Sequence, residues 1–230
     1  MGDTQLELPL FPLNVVLFPK AIIPLRVFEE RYKIMLSRIL QKDRQFGAVL
    51  IKSGQEVGGP AVPFDVGTTA KVSRIAPMGR GRLEVTSVGG QPFRIIKMLQ
   101  EEPYLVGLVE LLDYEARTDE RVWAVVDQVK RLFRTHLRLI SQLTKQPLPS
   151  ISLDLDAEAL SYLVGYTVQA DSIEKQILLE TPDVMGRLGK EVDLLEKENS
   201  VFKQYLILQE SGQDEPPPDD KPYITRFSKN

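Results

Sequence analysis

Between Leu8 and Leu36 the apolar residues fall in short runs broken by Pro9, Pro12, Pro19 and Pro24. Proline has no backbone donor and a fixed φ. The first half of this stretch is therefore expected to form short extended pieces, each buried by elements from elsewhere, and no long strand or helix. After Pro24 the period becomes helical, with Phe28, Tyr32, Met35, Leu36 and Ile39 on one stripe and Glu29, Glu30, Arg31 and Lys33 between them. Phe46 to Ile51 reads as a buried strand, and Ser53 to Pro63, with three glycines and two prolines, as a loop. Val66 to Met78 is strand-like and is followed by a loop from Pro77 to Arg82. Leu83 to Val88 reads as a short strand that Gly89-Gly90 ends by turning the chain. Pro92 to Leu99 alternates, and Tyr104 to Leu112 is apolar on both faces. Several short strands at close spacing predict a curled sheet or small barrel.

From Glu120 onward the period is helical, through Val122, Val125, Val126, Val129, Leu132, Phe133, Leu137 and Ile140, until Pro147 and Pro149 stop it. Asp154 or Asp156 can cap a second helix striped by Leu160, Leu163, Val164 and Val168. Asp171-Ser172 can start a short helix through Glu180, and Thr181-Pro182-Asp183 carries a hydroxyl cap, a first-turn proline and an acid for a last helix reaching about Gln209. In that helix Leu188, Val192, Leu195, Asn199, Phe202 and Leu206 recur at steps of four and three, a coiled-coil-like seam with one polar position. The seam can pack within the chain, self-associate, or dock a partner helix. The expected fold is α+β: a β-rich lobe with one helix over 1–114, a helical lobe over 118–210 ending in a long helix, and a flexible tail over 211–230 containing Pro216-Pro217-Pro218.

The ordered segments LPLFPLNVVLFP and IPLRVFEERY resemble the opening of the Lon protease N-terminal, substrate-recognition domain family, which also occurs as free-standing proteins. Val66-Gly67-Thr68, the basic Gly79-Arg80 turn, Gly90 through Phe93-Arg94-Ile95, and Tyr104 are similar to that family's β-lobe, in its order. Glu174-Lys175-Gln176 before Leu178-Leu179-Glu180, with Arg187-Leu188 beyond, resembles its helical lobe. The resemblance spans roughly residues 6–205, and it departs at Met78, where the family usually has an acid before the Gly-Arg turn. It implies a PUA-like β-lobe and ATP-independent, proteolysis-related recognition of unfolded or extended polypeptide. Full-length Lon proteases join this domain to ATPase and serine–lysine protease modules, for which 230 residues leave no room.

Composition narrows the field. Apolar residues make up 43% and charged residues 27% of the chain, as in ordinary soluble domains. A net charge of −3 argues against a dedicated nucleic-acid binder. Zero cysteines exclude disulfides and thiol chemistry. Asp3 and Glu7 replace the basic start of a secretory signal, so a cytoplasmic location is expected, with no membrane partner. There is no phosphate-binding G-x-x-x-x-G-K-[ST] loop and no G-x-S-x-G elbow. His136 is the sole histidine and reads as a packing residue. The carboxylate pairs Glu29-Glu30 and Glu101-Glu102 read as solvated surface. No catalytic residue, metal site or cofactor is therefore expected, and the chain is read as a non-enzyme.

Two basic features remain as binding candidates. Arg80 and Arg82, beside Met78, could form a mobile rim of a peptide groove. Lys130, Arg131, Arg134 and Arg138 form a helical stripe for an acidic partner or, as the alternative function, structured RNA. The expected function is capture of exposed apolar or extended segments at a sheet edge or between lobes.

Overall fold

The structure, a computed structural model, describes residues 5–113, 120–147 and 152–210. The tail expected over 211–230 and most of the expected lobe boundary lie outside the described residues. The elements in chain order are β1 (Gln5–Leu13), β2 (Ile22–Val27), α1 (Glu30–Ile39), β3 (Gln45–Gly54), β4 (Ala61–Pro77), β5 (Leu83–Gln100), β6 (Val106–Leu111), α2 (Glu120–Thr144), α3 (Ala157–Thr167), α4 (Ser172–Glu180) and α5 (Val184–Glu210). They fall into two compact units, residues 1–115 with 171–182, and residues 116–170 with 183–230. No described helix is long and apolar enough to cross a membrane.

In the first unit, β1, β3, β4, β5 and β6 pair in a closed ring, and β2 joins the first half of β5. The β1–β3 pair is parallel and the others are antiparallel. Leu8, Leu10, Val49, Phe93 and Val109 fill a core of this sheet.

Two expectations are corrected here. Pro9 and Pro12 do not break β1; they lie within it. The strand changes partner midway, pairing with β6 over Gln5 to Pro9 and with β3 over Leu10 to Leu13. The Leu10 N–H donates to Leu105 O on the β6 side at 2.8 Å. By alternation the donor missing at Pro12 faces that side after the β6 pairing has ended. The one missing at Pro9 faces the β3 side before that pairing begins. Likewise Gly89-Gly90 does not turn the chain; β5 runs through it as one strand. The register of β5 against β4 shifts there, and β5 exchanges β2 for β6 along one edge. A Cβ at Gly89 would overlap the carbonyl oxygen of Phe18. The glycine thus serves a close backbone approach at a bend.

The segment 171–182, which follows two helices of the second unit, groups with the sheet. Asp171 accepts from the N–H groups of Ile173 and Glu174 at 2.8 Å each, and Glu174 accepts from the Asp171 N–H, a reciprocal capping box. The Ser172 hydroxyl donates to Asn14 O at 3.0 Å, and Gln176 Nε2 to Val66 O at 2.9 Å. Thr181, expected to cap the last helix, instead ends α4, with its hydroxyl donating to Ile177 O. Asp183 takes the cap of α5, accepting from Gly186 N at 2.6 Å.

The second unit packs α2, α3 and α5 around Val126, Val129, Phe133, Leu160, Val164, Leu188 and Leu195. Asp156, not Asp154, caps α3. Leu188 and Leu195 of the seam are fully enclosed, Val192 packs beside them, and Phe202 and Leu206 join a second cluster with Leu139 and Ile140. Leu188, Leu195 and Phe202 thus pack within the unit, the first of the three uses that the sequence leaves open to the stripe of Leu188, Val192, Leu195, Phe202 and Leu206. Asn199, its polar position, donates to Leu132 O and contacts His136 Nδ1 at 3.1 Å. Two charged residues accompany the seam. Arg187 donates to the Ser161 hydroxyl through Nε and lies over the Tyr162 ring, while Ser161 donates to Glu191. Burial pushes the Glu191 carboxyl well above the usual range, against the Ser161 hydrogen bond and the Arg187 charge.

His136 is fully buried between Phe133 and Phe202, and burial lowers its pKa to about 4 against the Asn199 hydrogen bond. The Glu198 carboxylate 3.5 Å from Nε2 also favours protonation, but enclosure of the ring prevails. The unfolded chain binds this proton near pH 6.5 and the folded chain near 4, so stability falls as pH drops through that window. Glu191 acts in the opposite sense above pH 4.5, but it is common to both chains of the following comparison. Between pH 7.5 and 5 the native chain should lose about 2 kcal/mol more unfolding free energy than His136→Gln. Denaturant titrations at the two pH values check this, and equal losses would contradict it.

Candidate functional site

Two clefts open on the first unit. The larger, about 560 Å³, runs from Pro12, Arg31 and Tyr32 past the Gly58–Pro63 segment to Met98 and the Glu101–Leu105 segment. The smaller, about 320 Å³, lies among the end of β1, the β2 residues Ile23 to Arg26, Phe28, Glu29, Tyr32, Glu56 and Val57. Tyr32 lines both, and the loop 55–60 stands between their remaining walls.

The local sequence holds this arrangement from several directions. The Tyr32 ring stacks on Phe11 of β1, with centroids 4.1 Å apart and an interplanar angle of 13°. The Arg31 guanidinium lies 4.6 Å from the Tyr32 centroid, donates to Gly59 O at 3.1 Å and pairs with Glu29 at 3.0 Å. Glu29 in turn accepts from Gly58 N at 3.1 Å. Asn14 donates to Glu56 through its backbone N–H and its side-chain amide, the latter at 2.7 Å. The loop is thus tied to the start of α1 and to the β1–β2 connection. Burial raises the Tyr32 pKa, with Arg31 opposing, so the phenol stays protonated across the physiological range.

The walls are apolar with acidic edges. Phe28 is 45% exposed and Val57 51% exposed, both at the smaller cleft, and Val62 is 57% exposed at the larger. The linings include no Ser, Thr, Lys, His or Cys. Such walls can hold apolar side chains; they offer no hydroxyl or thiol nucleophile apart from tyrosine. Beside the smaller cleft, β2 pairs, among the described residues, only with β5, so its other edge is open there, with Pro24 leaving a gap in its row of donors. Among the described residues, no group of three His, Cys, Asp or Glu side chains is placed to hold a metal ion.

The residues singled out in the sequence lie elsewhere. Met78, Arg80 and Arg82 form the exposed tip of the β4–β5 hairpin, where Met78 N donates to Arg82 O and residues 79–81 have positive φ. None of them lines either cleft. Arg131, Arg134 and Arg138 are exposed along α2 and Lys130 is half-buried, all in the second unit. Sequence reasoning missed Phe28, Val57 and the role of Tyr32. The helical spacing places Phe28 on the buried stripe of the first helix, yet it precedes Glu29, the N-cap, and stays exposed. Val57 is an apolar residue inside a glycine-rich loop, and that incongruity was its only signal.

Residues 7–197 match the model of the ATP-dependent protease La (LON) substrate-binding domain. The chain is 26% identical over 204 residues to Lon protease 2 of Myxococcus xanthus and 28% identical over 211 residues to Lon protease 2 of Herpetosiphon aurantiacus. Each alignment covers 87% of this chain and about a quarter of the relative's length. Among solved structures, the fold is similar to a Lon N-terminal domain protein from Xanthomonas campestris, with TM-score 0.60, 24% identity, and 80% and 96% of the two chains covered. It is also similar to the N-terminal domain of a Mycobacterium avium complex Lon protease, with TM-score 0.63, 19% identity, and 83% and 98% covered.

Glu29→Ala should free the loop without unfolding the unit, because it removes the acceptor of Gly58 N and the partner of Arg31. Amide exchange at Gly58 and Gly59 should quicken about tenfold, while the melting midpoint falls by under about 4 °C. Unchanged exchange at both glycines would show that Glu29 does not hold the loop.

Proposed function

The chain belongs to the family of Lon substrate-binding domains, and from that premise we propose that it is a non-catalytic module that captures extended, apolar segments of other polypeptides in the two clefts. The observation that carries this reading is the exposure of Phe28 and Val57 on the smaller cleft. Large apolar side chains left in solvent beside a concave surface are what an apolar partner covers. A bound segment sets its side chains against Phe28, Val57 and Tyr32. Its main chain pairs with the open edge of β2 on either side of Pro24. Both contributions are limited in area, so affinity is modest and exchange is fast, as suits a module that samples many chains. The hairpin tip of Met78, Arg80 and Arg82 supplies a second, peripheral contact.

The chain spans about a quarter of the length of the curated relatives it matches. The module acts without ATP, in the cytoplasm, on chains that others degrade or refold.

Anisotropy titrations with a permanently unfolded, fluorescein-labelled protein test this. Micromolar binding is expected, weakened about tenfold in Phe28→Ser/Val57→Ser, whose melting midpoint should change little because both side chains are already exposed. Loss of binding in Arg80→Ala/Arg82→Ala alone would move the site to the hairpin. No binding at high micromolar concentration would sink the proposal.

A further inference from the structure

The charge on the cleft edges restricts which extended segments fit. Four carboxylates line the two clefts, Glu29, Glu56, Glu101 and Glu102, against two guanidinium groups, Arg26 and Arg31, and no lysine. Arg31 is already neutralised by Glu29 at 3.0 Å and is held over Tyr32 and on Gly59 O. This leaves Glu56, Glu101 and Glu102 facing the ligand space against Arg26 alone. Asn14 fixes Glu56 in place by two donated hydrogen bonds. Glu101 and Glu102 are exposed beside Pro103 and Tyr104 on the larger cleft.

From this charge complementarity we infer that the clefts select segments whose apolar side chains alternate with Lys or Arg, over segments whose apolar side chains alternate with Asp or Glu. In an extended ligand successive side chains point to opposite faces, with same-face neighbours about 7 Å apart. The apolar face then enters the clefts, while the alternate face and the flanks lie within reach of the three carboxylates. Acidic segments meet like charge at the same positions. The inference rests on the polypeptide-binding reading and specifies its substrate class.

Three labelled decapeptides test it, in which Phe, Ile and Tyr alternate with Lys, with Ser or with Glu, each titrated against the full chain. At about 50 mM salt the Lys peptide should bind about tenfold more tightly than the Glu peptide, with the Ser peptide between them. At about 0.5 M salt the ratio should shrink to about twofold, since exposed charges are then screened. Glu101→Gln/Glu102→Gln should compress the low-salt ratio, weakening the Lys peptide and strengthening the Glu peptide. Equal binding of the Lys and Glu peptides, or a ratio unmoved by salt or by the double substitution, would overturn the inference while leaving polypeptide capture standing. Failure of all three peptides to bind would overturn both.

Discussion

The architecture of the first unit depends on one close contact, the backbone of Gly89 against the carbonyl of Phe18. No other residue type fits, because a Cβ would occupy the space of that oxygen. The contact lets β5 bend without ending, so that a single strand serves β2 with its first half and β6 with its second. The ring closes through the second half, and β2 remains outside the ring with one partner among the described residues. Closure removes most open edges, as small barrels generally do. The edge that remains lies beside the smaller cleft. The same backbone event that stabilises the ring therefore also sets aside the strand on which the functional reading depends.

A second constraint governs the helical unit. Arg187, Glu191, Asn199 and His136 are all enclosed, though each costs desolvation free energy that an apolar residue would not. Arg187 donates to the Ser161 hydroxyl and Ser161 to Glu191, while Asn199 donates to Leu132 O and contacts His136. Polar partners at one register allow α5 to slide neither up nor down against α2 and α3, because a one-turn shift would leave them unpaired in the core. The polar groups thus fix alignment where the apolar seam alone would tolerate several.

What the sequence disclosed follows from whether the deciding interaction is local. The capping box of α4 uses residues three apart, and the helix begins where Asp171 and Glu174 place it. The stripes of α2 and α5 are periodic and were readable in the same way. Pro9, Pro12 and Gly89-Gly90 were misread because their meaning depends on strands elsewhere. A proline is harmless where the neighbouring strand is absent on the side its missing donor faces, and a glycine pair marks a bend only once Phe18 is in place. The clefts were less legible still. They are assembled from the end of β1, β2, the first turn of α1, the loop 55–60 and the segment 98–105, which no window of sequence brings together. The hairpin tip drew attention because its arginines and glycines are adjacent in the chain, which is a property of turns in general.

An open strand edge next to exposed apolar residues is ordinarily a route to aggregation, since a second copy can continue the sheet. Here Pro24 sits in the middle of that edge and interrupts its row of donors. Continuous pairing with another long strand is thereby disfavoured, whereas a short segment can pair to either side of the gap and draw its remaining affinity from Phe28, Val57 and Tyr32. On the proposed function, a surface that engages foreign chains must avoid engaging itself. Pro24 meets that requirement at the edge where Phe28 and Val57 are exposed.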